Sequence, residues 1–346
     1  MGRDVTEHEL IDAARAGDED AFARLVEPHG GLLHAHCYRM LGSVDDAEDA
    51  VQDALLRAWR AIARFEGRSS LRTWLYTIAT NVCLKAIERR PKLVLPVDYG
   101  PPTDPHEGTA PPLAESVWIE PYPDDRLGLS EALAGPEARY EQRESVELAF
   151  IAALQLLPAR QRAVLILRDV LGFSGEEVAE ALETTPDAVY SALQRAHKTV
   201  DARLPERSQQ ATLRALGDDP LREIVDAFVV AWERGDVEAV AAMLAQEAII
   251  AMPPMPSWYQ GRDAVAAFLR RSPLAPGVRW RVVPARASGQ LSFAFYLWSE
   301  ETRTFAAHDI LVLTMDGARI AELTAFLETE AFRHFGLPAV WTARVP

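Results

Sequence analysis

DAEDAVQDALLRAWRAIARFEGRSSLRTWLYTIATNVCLKAIERR, residues 46–90, decides how the first third of this chain is read. Val51, Leu55, Trp59 and Ile62 recur three or four apart, the period of an amphipathic helix. A Gly/Ser break at 67–70 ends that helix, and a second begins after it. Between Arg57 and Lys92 stand nine Arg or Lys residues against two acids, Glu66 and Glu88, which makes this the one strongly basic segment of the sequence. Trp74 and Tyr76 sit among these cations. Such a mixture suits a melted nucleic-acid strand, because cations hold phosphates while aromatic surfaces receive unstacked bases. The competing reading makes Trp74, Leu75, Ile78 and Val82 the buried face of a helix, and so favours the cations over Trp74 as contacts.

Working toward the N-terminus, Leu10, Ala14, Phe22 and Leu25 continue the helical period, with breaks at Gly17-Asp18 and Gly42-Ser43. Residues 5–92 are therefore expected to be a run of helices. Toward the C-terminus the pattern stops. Nine prolines fall between Pro91 and Pro123, and residues 93–144 hold eleven acids against three bases. This stretch is read as an acidic linker, extended rather than packed. Periodicity resumes over residues 142–204.

Within that stretch a helix from Glu176 to Leu182, a turn over Glu183–Thr185 and a second helix from Pro186 have helix-turn-helix spacing. Thr185 suits an N-cap and Pro186 the first helical position. Val189, Leu193, Ala196, Val200 and Leu204 form one apolar stripe. Ser191, Gln194, Arg195 and Lys198 face the other way, where a recognition helix would meet bases or phosphates. An ordinary helical hairpin with a solvated face would show the same spacing.

A polar break over 205–220 precedes a third pattern. Two helices (about 220–234 and 236–246), a Pro-rich loop, PPMPSW, and a helix near 262–271 lead into apolar strands. Ser288-Gly289 and Asp316-Gly317 read as hairpin turns. The expected fold of this part is α+β with an antiparallel sheet.

At 346 residues the chain suits two or three domains. A net charge of −15 argues against indiscriminate binding to nucleic acid, so any such surface must be local. Cys37 and Cys83 have no neighbouring Cys or closely spaced His, so they are expected to be buried small side chains, with no metal and no disulfide. No apolar stretch is long enough to span a bilayer, and the polar start MGRDVTEHEL has no signal core. A cytoplasmic location with no membrane association is expected.

GDEDAFARLVEPH, the 46–90 stretch and LPARQRAVLILRDVLGFSGEEVAEAL resemble, in order and spacing, regions two and four of the extracytoplasmic-function sigma factors. The resemblance implies a multidomain chain: two all-α sigma modules, over 1–92 and 140–205, separated by a linker over 93–139. It implies core RNA polymerase and promoter DNA as partners. Asp49, Gln52 and Asp53 are then the contacts to polymerase. Arg68, Arg72, Asn81 and Lys85 are the candidates for the −10 element, and Ser191, Gln194, Arg195 and Lys198 for the −35 element. One departure stands out: where family members commonly carry Thr-Val-Lys-Ser-Arg-Leu, this chain has Ala188 to Leu193 without the two cations.

After a second linker (206–219), residues 220–346 resemble the SnoaL-like or ketosteroid-isomerase-like cone, through FVVAWERGDVEAVAAML, WYQGRDAVAAFL and HDILVLTMDGARIAELTAF. WIEPYPDD in the linker adds Trp118, Glu120, Pro121 and Tyr122 as candidate regulatory residues of sigma factors with such a domain fused. The cone implies a pocket, with Trp232, Trp258, Tyr259, Phe293, Phe295 and Trp298 as possible lining and an unknown small ligand as possible occupant. His308-Asp309 is either a catalytic pair or a satisfied core hydrogen bond. Neither catalytic residues nor a cofactor are expected. Two functions remain open: a transcription initiation factor regulated in cis by its cone, or an enzyme or ligand sensor fused to a DNA-targeting module.

Overall fold

The computed structural model describes residues 6–113, 118–127 and 141–342. Among these residues the chain divides into two units. The first draws on Met1–Pro91, Arg126–Ser145 and Ala153–Leu204, and the second on Lys92–Asp125, Val146–Ala152 and Pro205–Pro346.

The first unit is helical. Its first five α-helices are α1 (Glu7–Arg15), α2 (Glu19–Val26), α3 (Gly30–Leu41), α4 (Val44–Ala61) and α5 (Leu71–Ile87). Each predicted break supplies a cap. Asp18 accepts from the Ala21 N–H, Ser43 from Asp46 and Ser70 from Thr73, so an orphan donor of each following helix is satisfied. Gly42 ends α3 in the left-handed conformation at φ 75°, which a side chain would resist. Ala47, Ala50, Ala54 and Ala58 form the buried stripe of α4. On α5, Leu75 and Val82 are buried as expected, but Trp74 and Ile78 are only half-buried, and Trp74 leans on Phe65 with ring centroids 4.9 Å apart. Cys37 and Cys83 are both free thiols in the core.

The helix-turn-helix forms from Gly175–Ala181 and Pro186–Asp201. Ser174 and Glu177 make a capping box on the first helix, and Thr185 caps the second by accepting from Ala188 N–H. Val189, Ala196 and Val200 are buried, while Leu193 and Leu204 are half-buried.

Within this unit one buried cation joins the two helical modules. Arg162 donates to the Met40 carbonyl at the C-terminal end of α3, to the Gln155 amide oxygen, and to the carbonyls of Gln155 and Leu157 at 3.2 and 3.3 Å. Gln155 in turn reaches the Arg39 carbonyl, and Arg39 donates to Ser145 Oγ at 2.6 Å. The last carbonyls of α3 thus find partners on the later segment, and the cation meets the negative end of the helix dipole. Burial lowers the Arg162 pKa to about 10, which still leaves it charged at neutral pH.

The second unit is a sheet covered by helices. Its strands are β1 (Leu244–Ala251), β2 (Trp258–Gln260), β3 (Trp280–Ala287), β4 (Gln290–Ser299), β5 (Thr304–Asp316), β6 (Arg319–Phe326) and β7 (Val340–Thr342). They lie in the order β2-β1-β6-β5-β4-β3, with β7 also on β5. Two expectations need correction. The second helix stops at Met243, three residues early, because Leu244 begins a strand whose Ala248 and Ile250 point into the core. The sheet is also mixed: β1 runs parallel to β6, which the long connection through β2 to β5 permits. Helix Asp218–Glu233 lays Phe228 and Trp232 on the sheet, with Phe228 and Phe293 centroids 4.6 Å apart. The β3–β4 turn uses Ser288 and Gly289 at φ 56° and 65°, the geometry expected of a two-residue hairpin.

The acidic linker is not a free spacer. Its described residues up to Asp125 belong to the second unit, where Trp118 is 2% exposed and Ile119 and Tyr122 are fully covered. Apolar side chains among the prolines drive the packing, and composition alone conceals them.

Replacing Arg162 by Ala should cost about 3–5 kcal/mol of unfolding free energy, since it strands buried carbonyls together with Gln155. Urea denaturation checks this. A second expectation concerns His36, which is fully buried, bonded to Thr80 Oγ1 at 2.9 Å and lowered to about 3 by desolvation and by the Arg39 charge. The unfolded imidazole takes up its proton near pH 6.5 and the folded one only near 3, so stability is complete above 6.5 and falls as the pH drops between these values. Between pH 7 and 5 the expected loss is about 2 kcal/mol, absent in His36→Asn.

Candidate nucleic-acid interface and regulatory site

On α4, Asp49 and Gln52 are exposed opposite the alanine stripe, whereas Asp53 is half-buried and accepts from Arg57 at 2.7 Å. That i,i+4 pair orders the polar face of α4 but leaves Asp49 as its open carboxylate. The four −10 candidates divide. Asn81 and Lys85 are exposed four residues apart on one face of α5. Arg68 is exposed in the loop and paired with Glu66. Arg72 is already engaged: it donates to the Leu171 carbonyl at 2.8 Å, and its guanidinium lies 4.6 Å from the centre of the Phe173 ring. Beside it Thr73 donates to Glu177 Oε1 at 3.0 Å. Glu177 therefore both completes the capping box and binds α5, and these hydrogen bonds hold its carboxyl below the usual range.

This contact was not anticipated. The Ser174–Glu177 pair is legible as a capping box, but nothing in the spacing points from it to Thr73. Ser191, Gln194, Arg195 and Lys198 all project from the exposed face of helix Pro186–Asp201, where each side chain is accessible. Tyr190, on the same helix, is also half exposed.

In the second unit the four linker candidates are covered or half-covered, and Tyr122 binds the cone directly. Trp118 bridges Val94 and packs edge-on to Tyr99 at 5.5 Å. Tyr122 exchanges backbone bonds with the β3–β4 turn, giving its carbonyl to Ser288 N–H at 2.7 Å and its own N–H to Ser288 Oγ at 3.1 Å. Asp124 accepts from Gly289 N–H at 2.8 Å. Pro121 is buried and Glu120 half-buried.

The cone encloses a cavity of about 310 Å³. Of the six aromatic residues expected there, only Trp232 and Phe295 line it, and Trp280 and Phe268 complete the aromatic wall. Trp258 instead donates to the Gly100 carbonyl at 2.9 Å, Tyr259 stacks on Phe268, Phe293 fills the core and Trp298 meets Phe305. Strand alternation puts Trp298 on the face of β4 opposite Phe295, whereas Phe293 shares the face of Phe295 and packs against Phe228 instead. His308 and Asp309 are both on the wall. Successive strand residues normally face apart, but β5 carries an irregularity here, with Asp309 opposite Phe295 and Ala307 opposite Tyr296. His308 is the extra residue, and the bulge turns it to the same side. Its Nδ1 lies 2.8 Å from Asp309 Oδ2. Burial pushes the Asp309 carboxyl above the usual range, against the pull of His308.

The sequence matches the models for Sigma-70 region 2 over residues 25–92, Sigma-70 region 4 over 147–200 and the SnoaL-like domain over 225–323. Among curated proteins, the ECF RNA polymerase sigma factor SigG of Mycobacterium tuberculosis is 41% identical over 327 residues, spanning 94% of this chain and 85% of its own length. The ECF RNA polymerase sigma-E factor of Escherichia coli K12 is 27% identical over 58% of this chain and 95% of its own. Among solved structures, the extracytoplasmic function sigma factor SigJ of Mycobacterium tuberculosis superposes with a TM-score of 0.56, at 21% identity, over 89% of this chain and 97% of that one. The chain belongs to the ECF RNA polymerase sigma factors, and it carries a SnoaL-like domain fused after region 4. It binds core RNA polymerase and promoter DNA in transcription initiation.

Arg68→Ala and Lys85→Ala should each lower the slope of promoter affinity against salt by about one counterion. Arg72→Ala should also lower thermal stability, because Arg72 ties α5 to the Leu171–Phe173 loop. Filter binding across a salt series, with melting curves, separates the two effects.

Proposed function

We propose that this sigma factor is held inactive in its compact form and is switched in cis, with the linker and cone acting on the two DNA-reading modules. The observation that carries the reading is the engagement of Arg72, Thr73 and Arg162 inside the first unit. Promoter elements centred at −10 and −35 lie about 25 base steps apart, on the order of 85 Å at about 3.4 Å per step. Modules in mutual contact cannot read both, so they must part when polymerase binds, and the energy of that binding selects the open form.

In the open form Asp49, Gln52 and Asp53 meet core polymerase. Arg68, Arg72, Asn81 and Lys85 hold the −10 strand, and Gln194 and Arg195 read the −35 edge with Ser191 and Lys198 on phosphates. Without the cations missing from Ala188–Leu193, base discrimination falls mainly on Gln194 and Arg195. Trp118, Glu120, Pro121 and Tyr122 set the position of the linker. The protein acts in the cytoplasm and is not an enzyme. Its His308–Asp309 pair serves the cone pocket rather than turnover.

Run-off transcription with core polymerase tests the reading. Asp49→Lys with Asp53→Lys should weaken core binding at least about tenfold while the fold is kept. Arg195→Ala should change −35 preference, by about 1–3 kcal/mol per base pair read, without changing core affinity. Phe173→Ala, which loosens the closed contact, should raise transcription at matched protein level, and Trp118→Ala with Tyr122→Ala should change it. Wild-type output from the Phe173 and linker variants would remove the switch and leave a constitutive factor.

A further inference from the structure

The cavity of the cone is built differently from a gap in a core. Its wall is aromatic and aliphatic, from Trp232, Trp280, Phe295 and Leu311, and its polar end is the Asp309–His308 pair. At about 310 Å³ it falls at the lower end of ligand pockets, which start near 300 Å³. Water filling such a space would find few partners, so an apolar occupant displaces it favourably.

The side chains restrict that occupant. Neither Lys nor Arg lies on the wall, so a carboxylate or phosphate would be desolvated without compensation. Asp309 is 5% exposed and already accepts from His308. One carboxyl oxygen remains to meet a single polar atom. The linker closes the edge: Thr109 lines the cavity, and the next residue donates its N–H to Ser257 Oγ at 2.7 Å. Leu113 N–H reaches the Pro254 carbonyl and Thr103 N–H the Trp258 carbonyl, so this part of the linker is stitched along the loop 253–258.

We propose that the cavity binds an uncharged, mainly hydrocarbon molecule about one branched ring in size, bearing one hydroxyl, which donates to Asp309 while the hydrocarbon touches Thr109 of the linker. An occupant placed this way contacts the cone and the linker at once, so its binding and the seating of the linker are linked. The site would supply the input that the switch proposed above lacks. The ligand class itself rests on the cavity and not on that switch.

Calorimetric titration of the full-length protein without polymerase tests the class with matched probes. Thymol and p-cymene share a carbon skeleton and differ by one hydroxyl, while 4-isopropylbenzoate and 4-isopropylbenzylammonium carry either charge. Thymol should saturate one site about tenfold more tightly than p-cymene, with neither charged probe bound. Asp309→Leu should abolish the preference for thymol over p-cymene. Ala325→Phe, which fills the cavity, should abolish both. Thr109→Trp should weaken thymol binding. Absence of saturable thymol binding, equal affinity for thymol and p-cymene, or tighter binding of either charged probe would overturn the proposal. Unchanged thymol affinity in Thr109→Trp would overturn its linker half. The wild-type probe series decides even if a variant fails to fold. Because polymerase is absent, a negative result here leaves the transcription reading standing.

Discussion

A guanidinium buried at the end of a helix governs the first unit. Arg162 sits where α3 exposes its last carbonyls, and its two terminal nitrogens are bonded to carbonyl and amide oxygens while its buried Nε has no partner. Gln155, Arg39 and Ser145 extend the same network across neighbouring segments. The region 2 helices and the helix-turn-helix are therefore joined through polar groups that must all be placed together. Such a contact is directional. It can hold two modules in one arrangement and release them as a whole, unlike an apolar face that slides.

The second contact of this unit, Arg72 on Phe173 with Thr73 on Glu177, occupies Arg72, which the family resemblance makes a candidate for the −10 strand. The same cation that suits a phosphate suits a carbonyl and an aromatic face. In the proposed reading, intramolecular and DNA contacts compete for this one side chain. In that reading the competition would help keep a free sigma factor off DNA, alongside the repulsion expected from a net charge of −15.

In the second unit the linker and the cavity are parts of one surface. Prolines keep the chain extended, which lets its backbone run beside the β3–β4 turn and the 253–258 loop and exchange bonds with both. Trp118 and Tyr122 anchor it by burial. The bulge in β5 has a similar local logic, since one extra residue brings His308 beside Asp309 and gives an otherwise apolar cavity its polar end.

The sequence by itself determined the helices, their caps and the helix-turn-helix, because Asp18, Ser43, Ser70, Thr185 and Pro186 act on backbone groups only a few residues away. It also determined the exposed cations of α5 and of the recognition helix, since polar faces follow from helical period. The hairpin turn at Ser288-Gly289 was legible for the same local reason, while the second turn lies one residue later than read, at Gly317-Ala318 after Asp316 pairs with Arg319. Tertiary structure alone decided the parallel pairing of β1 with β6, the packing of the acidic linker and which aromatic residues line the cavity. It also decided that Arg72, Thr73 and Arg162 would be bound internally. Each of these is a contact between residues distant in the chain, where partner choice depends on the register and crossing of whole elements and no periodic pattern records it.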